Sequence, residues 1–196
     1  MEQGCFYHIY NRGNNKQKIF FEKKNYTHFL KLFDKYLAGF ADVYAYCLMP
    51  NHFHFLIKIK ERDETTVVLK TTVVSAKLSP LDKAFRDFFI AYAKSINKAY
   101  GRTGALFQQK FKKKEVDDDA YFTSIIQYIH ANPVTAKLCN NYHDWEFSSY
   151  NAIISDKPTK IKRNEVLDWF GNKERFILIH RERKLELDSI KQFLFE

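Results

Sequence analysis

Cysteine is scarce in this chain of 196 residues: Cys5, Cys47 and Cys139 are odd in number and widely separated. No Cys-x-x-Cys pair occurs. That pattern excludes a disulfide framework and a cysteine zinc site, and it fits a reducing compartment. Long apolar runs are also missing, so no segment reaches membrane-spanning length. The opening Met-Glu-Gln-Gly-Cys lacks the charged and apolar pattern of a secretory signal. These absences predict a cytoplasmic protein with no membrane partner. No internal repeat or low-complexity segment interrupts the chain, and the length suits one domain with a modest extension.

Acidic residues are in the minority, 23 Asp and Glu against 32 Lys and Arg, which gives a net charge of +9. Such an excess predicts attraction to a polyanion, nucleic acid first. What is abundant is aromatic. Nineteen Phe and twelve Tyr lie within a hydrophobic share of 45%. That supports a substantial core, and Tyr also suits wet surfaces that face nucleic acid.

The pattern of elements follows from apolar spacing and punctuation. Cys5 to Tyr10 is rich in β-formers and predicts a first strand, followed by the polar, basic loop Asn11 to Lys16. Asn25 is a candidate N-cap for a helix to about Ala38, with Tyr26, Phe29, Leu30, Phe33 and Leu37 as its apolar stripe. The turn signal Pro50-Asn51 makes Asp42–Met49 and His52–Ile59 a hairpin. Residues 60–78 are polar, rich in Thr and Val, and give no clear assignment. Ser79-Pro80-Leu81-Asp82 is a helix start, with Gly101 as the stop. Leu106 to Lys114 predicts a fourth strand. Asp117-Asp118-Asp119 opens a third helix, which Pro133 is expected to close. This order matches the split β-α-β pattern of ferredoxin-like folds. The expected class is α+β: one antiparallel sheet with two helices on its back and a front on which a further helix can dock. Residues 1–155 form the expected domain. Residues 156–196 read as a basic linker (Lys157, Lys160, Lys162, Arg163) and a helical extension, with helices near Asn164–Trp169 and Glu182–Phe195.

The most informative stretch is Met49-Pro50-Asn51-His52-Phe53-His54-Phe55-Leu56-Ile57-Lys58. Residues two apart on a strand share a face. His52 and His54 therefore point one way with Leu56 and Lys58, while Phe53, Phe55, Ile57 and Ile59 cover the other side. A His-x-His pair alone is common in metal-free proteins, but two neutral imidazoles side by side are also half of a divalent-metal site. Tyr128 and Asn132 are four apart on the third helix and so adjacent on one face. In isolation Tyr128 fits a stripe edge and Asn132 a helix end before proline. If that helix docks on the sheet front, Asn132 offers an amide oxygen to the same ion and Tyr128 hangs beside it as a candidate nucleophile.

Five segments carry a resemblance to a known family. They are Tyr7-His8-Ile9-Tyr10-Asn11-Arg12-Gly13, Met49-Pro50-Asn51-His52-Phe53-His54, Gly104 to Phe111, Tyr128-Ile129-His130-Ala131-Asn132-Pro133-Val134, and Trp145-Glu146-Phe147-Ser148-Ser149-Tyr150. Together they span about residues 4 to 152. The chain resembles the single-tyrosine HUH transposases of the insertion-sequence-200 type, in the REP-associated tyrosine transposase branch. The resemblance implies that His52, His54 and Asn132 ligate Mg²⁺ or Mn²⁺ and that Tyr128 is the nucleophile. It implies cleavage and rejoining of single-stranded DNA near hairpins through a 5′-phosphotyrosine link, by a monomer or homodimer.

Candidate DNA-binding residues are Arg12 and Lys16 in the first loop, with Arg102, Lys110, Lys112, Lys113 and Lys114 around the fourth strand. Tyr10, Phe107 and Tyr150 are candidates either for stacking on unpaired bases or for the core. The competing reading is a non-catalytic single-strand nucleic-acid-binding module on an RRM-like sheet. The Lys/Arg-Gly-Phe/Tyr-Gly/Ala-Phe strand of such modules is absent.

Overall fold

The computed structural model describes residues 1–61 and 78–182. Four strands, β1 (Phe6–Arg12), β2 (Ala41–Met49), β3 (His52–Ile59) and β4 (Lys112–Val116), form one antiparallel sheet in the order β2-β3-β1-β4. The expected ferredoxin-like arrangement is present. Helices α1 (Lys23–Leu37) and α2 (Pro80–Ala99) pack on its back. Alternation in β3 is as the spacing predicts: Phe53, Phe55, Ile57 and Ile59 enter this core with Phe29, Phe33, Phe85 and Phe88.

Helix starts show local chemistry at work. Ser79 caps α2 by accepting from the Asp82 backbone N–H at 3.1 Å. In α1 the cap is one turn earlier than expected: Glu22 is the N-cap, and Asn25 closes a capping box from the third helical position. The Asn25 Oδ1 accepts from the Glu22 N–H at 3.0 Å and the Phe21 N–H at 2.9 Å. It therefore satisfies donors that a helix end leaves open.

Two further expectations are corrected. The fourth strand does not begin at Leu106. Leu106 and Phe107 are buried in the back core, and their segment clasps the first loop through the Gly13–Phe107 bridge, Asn14 N to Leu106 O and Gln108 N to Arg12 O. Regular pairing with β1 starts only at Lys112. The third helix, α3 (Asp119–Thr135), runs through Pro133 rather than stopping before it. Pro133 has a φ suited to a helix, but it gives no N–H to the Ile129 carbonyl and its ring crowds that turn. Burial of Ile129 and Ala131 outweighs the extended preference of the residue before proline. Just past the helix, Lys137 takes a left-handed φ of 57°, and the Lys137 and Leu138 N–H groups donate back to the Val134 and Pro133 carbonyls.

The sheet front carries a second core. Helix α3 lies across it with Phe122, Ile125, Ile126 and Ile129 against Tyr44, Leu56 and Val116. Helices α4 (Tyr150–Ile154), α5 (Arg163–Phe170) and α6 (Lys173–Glu182) add Tyr150, Ile153, Val166, Phe170 and Phe176. The expected helix at Asn164–Trp169 is thus present as α5, whereas the one from Glu182 to Phe195 lies almost wholly outside the described residues. Two cations of the expected linker are engaged on the domain itself: Lys160 pairs with Asp34 at 2.6 Å, and Lys162 lies 3.7 Å from Asp42. No described helix is long and apolar enough to cross a membrane.

Candidate active site

The histidine pair opens β3 at the open end of the sheet front. His52 stands opposite Arg12, and His54 opposite Tyr10. The hairpin turn is anchored by the first loop: the Pro50 carbonyl accepts from Ile19 N, and the Asn51 carbonyl from Gly13 N, both at 2.8 Å. The Asn51 side chain then turns to its neighbour, with Oδ1 2.7 Å from His52 Nδ1. An amide oxygen only accepts, so His52 Nδ1 carries the proton and Nε2 is the basic atom. That Nε2 lies 3.4 Å from Asn132 Oδ1.

Helix α3 brings in the other two residues. The Tyr128 ring meets the His54 ring edge-on at 5.3 Å between centroids. Asn132, one turn later, donates its Nδ2 to the Tyr128 carbonyl at 2.9 Å, which aims Oδ1 at His52. The expected set of His52, His54, Tyr128 and Asn132 is therefore gathered in one place. Burial keeps His54 neutral at neutral pH. Desolvation first, then the nearby His8, His52 and Arg12, holds His54 well below the usual imidazole range. Neutral imidazole is the form that ligates.

An open cleft of about 570 Å³ leads to this group. Its walls are cationic and polar, from Arg12, Lys16, Gln108 and Lys112, with Tyr10 as the aromatic surface. Arg12 closes β1 rather than sitting in the loop, and its Nε is buried without a hydrogen-bond partner among the described residues. Lys112 Nζ sits 5.9 Å from the Tyr10 ring centroid. The lysine run divides across the sheet. Lys112 pairs with Tyr10 and Lys114 with His8 on the front, and Lys114 lies over the Tyr121 ring. Lys113 pairs with Ile9, a back-core residue, and so faces the other way. Arg102 bonds Gln17 at 3.1 Å beside the first loop, and Lys110 is exposed on the 106–111 segment. Of the three stacking candidates Tyr10 lines the cleft, whereas Phe107 and Tyr150 are buried in the two cores.

The family described as "Transposase IS200 like" matches residues 2–132. The chain belongs to the IS200-like transposase family. A curated relative, a putative REP-associated tyrosine transposase of Haemophilus influenzae, is 26% identical over 128 residues, covering 65% of this chain. The chain spans 66% of that relative's length. A solved structure described as a REP-associated tyrosine transposase bound to a REP hairpin superposes with a TM-score of 0.59 at 16% identity, covering 81% of this chain and 84% of that one. It shares the fold.

Other residues around this cleft carry no site signal in the sequence. His8, with Nε2 3.0 Å from His54 Nδ1, is one. Asn51, a turn residue by sequence, is another, through its bond to His52 Nδ1. A third feature lies behind α3. The Phe176 carbonyl accepts from His180 Nδ1 (2.8 Å), so His180 Nε2 accepts from His130 Nδ1 (3.0 Å), and His130 Nε2 accepts from Ser149 Oγ (2.7 Å). All three of His130, His180 and Ser149 are fully buried, so the chain of bonds is closed to substrate. It ties α3 to α6 and to the segment beside β2. Only an unexpected helix, α6, completes it, and no local sequence signal marks the partners.

Proposed function

We propose that this protein cleaves and rejoins single-stranded DNA near hairpins through a covalent bond between Tyr128 and a 5′-phosphate. One observation carries the reading: Tyr128 and Asn132 on α3 face His52 and His54 on β3 at the floor of a cationic cleft. Membership of a transposase family and the hairpin-bound relative support it.

The donors suit a hard divalent cation. Among the described residues no three His, Cys, Asp or Glu side chains cluster as a metal site. The set is instead two imidazole nitrogens and one amide oxygen, with room for water and a phosphate oxygen. The 3.4 Å between His52 Nε2 and Asn132 Oδ1 is compatible with neighbouring ligands of an octahedral ion, which lie about 3 Å apart for bonds of about 2.1 Å. Mg²⁺ or Mn²⁺ held there would polarise the scissile phosphate.

The chain's own groups do the rest. Arg12 and Lys112 neutralise phosphate charge at the cleft wall, and Lys16 holds the flanking backbone. Tyr10 gives an unpaired base a surface to stack on. The Tyr128 oxygen attacks phosphorus and gives up its proton, the bond from phosphorus to the 3′-oxygen breaks, and that oxygen leaves as a 3′-hydroxyl. Attack by a second 3′-hydroxyl reverses the step, so the energy of the phosphodiester is kept and no nucleotide cofactor is needed. The test is incubation with hairpin-bearing single-stranded DNA and Mn²⁺. A protein–DNA adduct that retains a 5′-phosphate label is expected, and binding without any adduct would favour a non-catalytic module.

A further inference from the structure

We infer that His8 is a positioning residue of this site: by accepting the Nδ1 proton of His54, it holds that imidazole in the tautomer whose Nε2 can bind a divalent cation. The inference rests on the metal-site reading above and names the residue on which that site's competence depends.

His8 lies in the middle of β1, 1% exposed, where an apolar residue would suffice for packing. A buried imidazole costs stability unless it is hydrogen-bonded. Its bond is to His54, at 3.0 Å, with the two rings 16° from parallel. Tyr10 stacks on His8 at 4.8 Å and restrains the ring further.

The two site histidines differ in how their protons are fixed. His52 faces an amide oxygen, which leaves one assignment. His180 likewise starts its chain of bonds from a backbone carbonyl. His54 faces another imidazole, and a single proton lies between the two nitrogens. If His8 Nε2 holds it, the proton of His54 sits on Nε2 and closes that atom to a ligand role. If His54 Nδ1 holds it, Nε2 presents a lone pair. Burial of both rings disfavours a second proton. The tautomer of His8 therefore opens or closes His54. Ligating histidines are usually oriented by a carboxylate or carbonyl through their other nitrogen. A neutral imidazole does this without adding negative charge beside a site that takes a phosphate.

Three proteins are compared with the parent: His8→Gln, whose side-chain oxygen reaches the Nε2 position, His8→Phe, which keeps shape and stacking but cannot accept, and His52→Ala. Mn²⁺ affinity is measured by electron paramagnetic resonance without DNA, alongside metal-free thermal melting, and ¹⁵N NMR of the metal-free parent reads the tautomer of His54. The expected result is a proton on His54 Nδ1, Mn²⁺ affinity about 10–100-fold weaker in the Phe variant, and affinity near the parent in the Gln variant. Equal Mn²⁺ affinity in His8→Phe and parent overturns the inference, as does a proton on His54 Nε2. So does an equal loss in both His8 variants. If the parent shows no Mn²⁺ binding that His52→Ala removes, the metal-site reading itself falls and takes the inference with it.

Discussion

The Asn132 side-chain oxygen lies 3.4 Å from His52 Nε2, although 80 positions separate the two residues in the chain. The other end of the same amide donates to the Tyr128 carbonyl one turn back. A single side chain thus links the histidine pair to the helix that carries the tyrosine. Its orientation is fixed by a helix carbonyl.

Asn132→Ala should separate a ligand from a helix-end residue. Loss of one half-buried side-chain bond costs about 1 kcal/mol or less. Melting should therefore change little, while Mn²⁺ affinity drops and strand cleavage nearly disappears, with partial rescue by excess Mn²⁺. Near-normal cleavage at ordinary metal concentration would mean that His52 and His54 use another third ligand.

Tyr128→Phe should leave folding and hairpin binding intact and remove the covalent adduct. The ring contacts with His8 and His54 do not require the hydroxyl. An adduct that persists in the Phe variant would point to Tyr121, two turns earlier on the same side of α3 and beneath Lys114.

The split lysine run gives a paired test. Lys112→Ala should weaken DNA binding and reduce the slope of log affinity against log salt by about one unit, because it removes a phosphate contact at the cleft. Lys113→Ala, on the back of the sheet, should leave that slope unchanged. Equal effects from both would place the DNA path around the sheet edge rather than along the cleft.

Acid should loosen the clamp behind α3. Desolvation lowers His180 to about 4 and holds fully buried His130 well below the usual range. The unfolded chain takes up protons on these residues below about pH 6.5, and the folded protein resists until about pH 4. Stability from these groups is therefore fully present above pH 6.5 and is lost as pH falls toward 4, by roughly 1.4 kcal/mol per pH unit for each histidine. Melting temperature should fall clearly between pH 7 and pH 5. A flat profile over that interval would show that the buried pair opens without cost.

Gly13→Ala should disrupt the cleft wall through sterics alone. A Cβ there would sit 2.0 Å from the Gln17 carbonyl oxygen and 3.1 Å from the Ile19 side chain. The loop that carries Lys16 must then move, taking with it the Gly13 to Asn51 bond behind the hairpin turn. Expected outcomes are a lower melting temperature and weaker DNA binding. Parent-like values for both would show that the loop adapts freely.

Features that depend on short-range spacing are legible in the chain alone. The His-x-His alternation placed both imidazoles on one face of β3, because a strand repeats every two residues. The four-residue offset put Tyr128 and Asn132 on one side of α3, because a helix repeats every 3.6. Ser79-Pro80 marked the start of α2 because capping is a local bond. Tertiary structure decided the rest. Whether α3 covers the sheet front, which lysines face the cleft, that Pro133 stays inside a helix, and that His8 meets His54 all depend on packing between elements distant in sequence. Burial and long-range hydrogen bonds outweigh the weak local preferences there, and neither leaves a periodic trace in the chain.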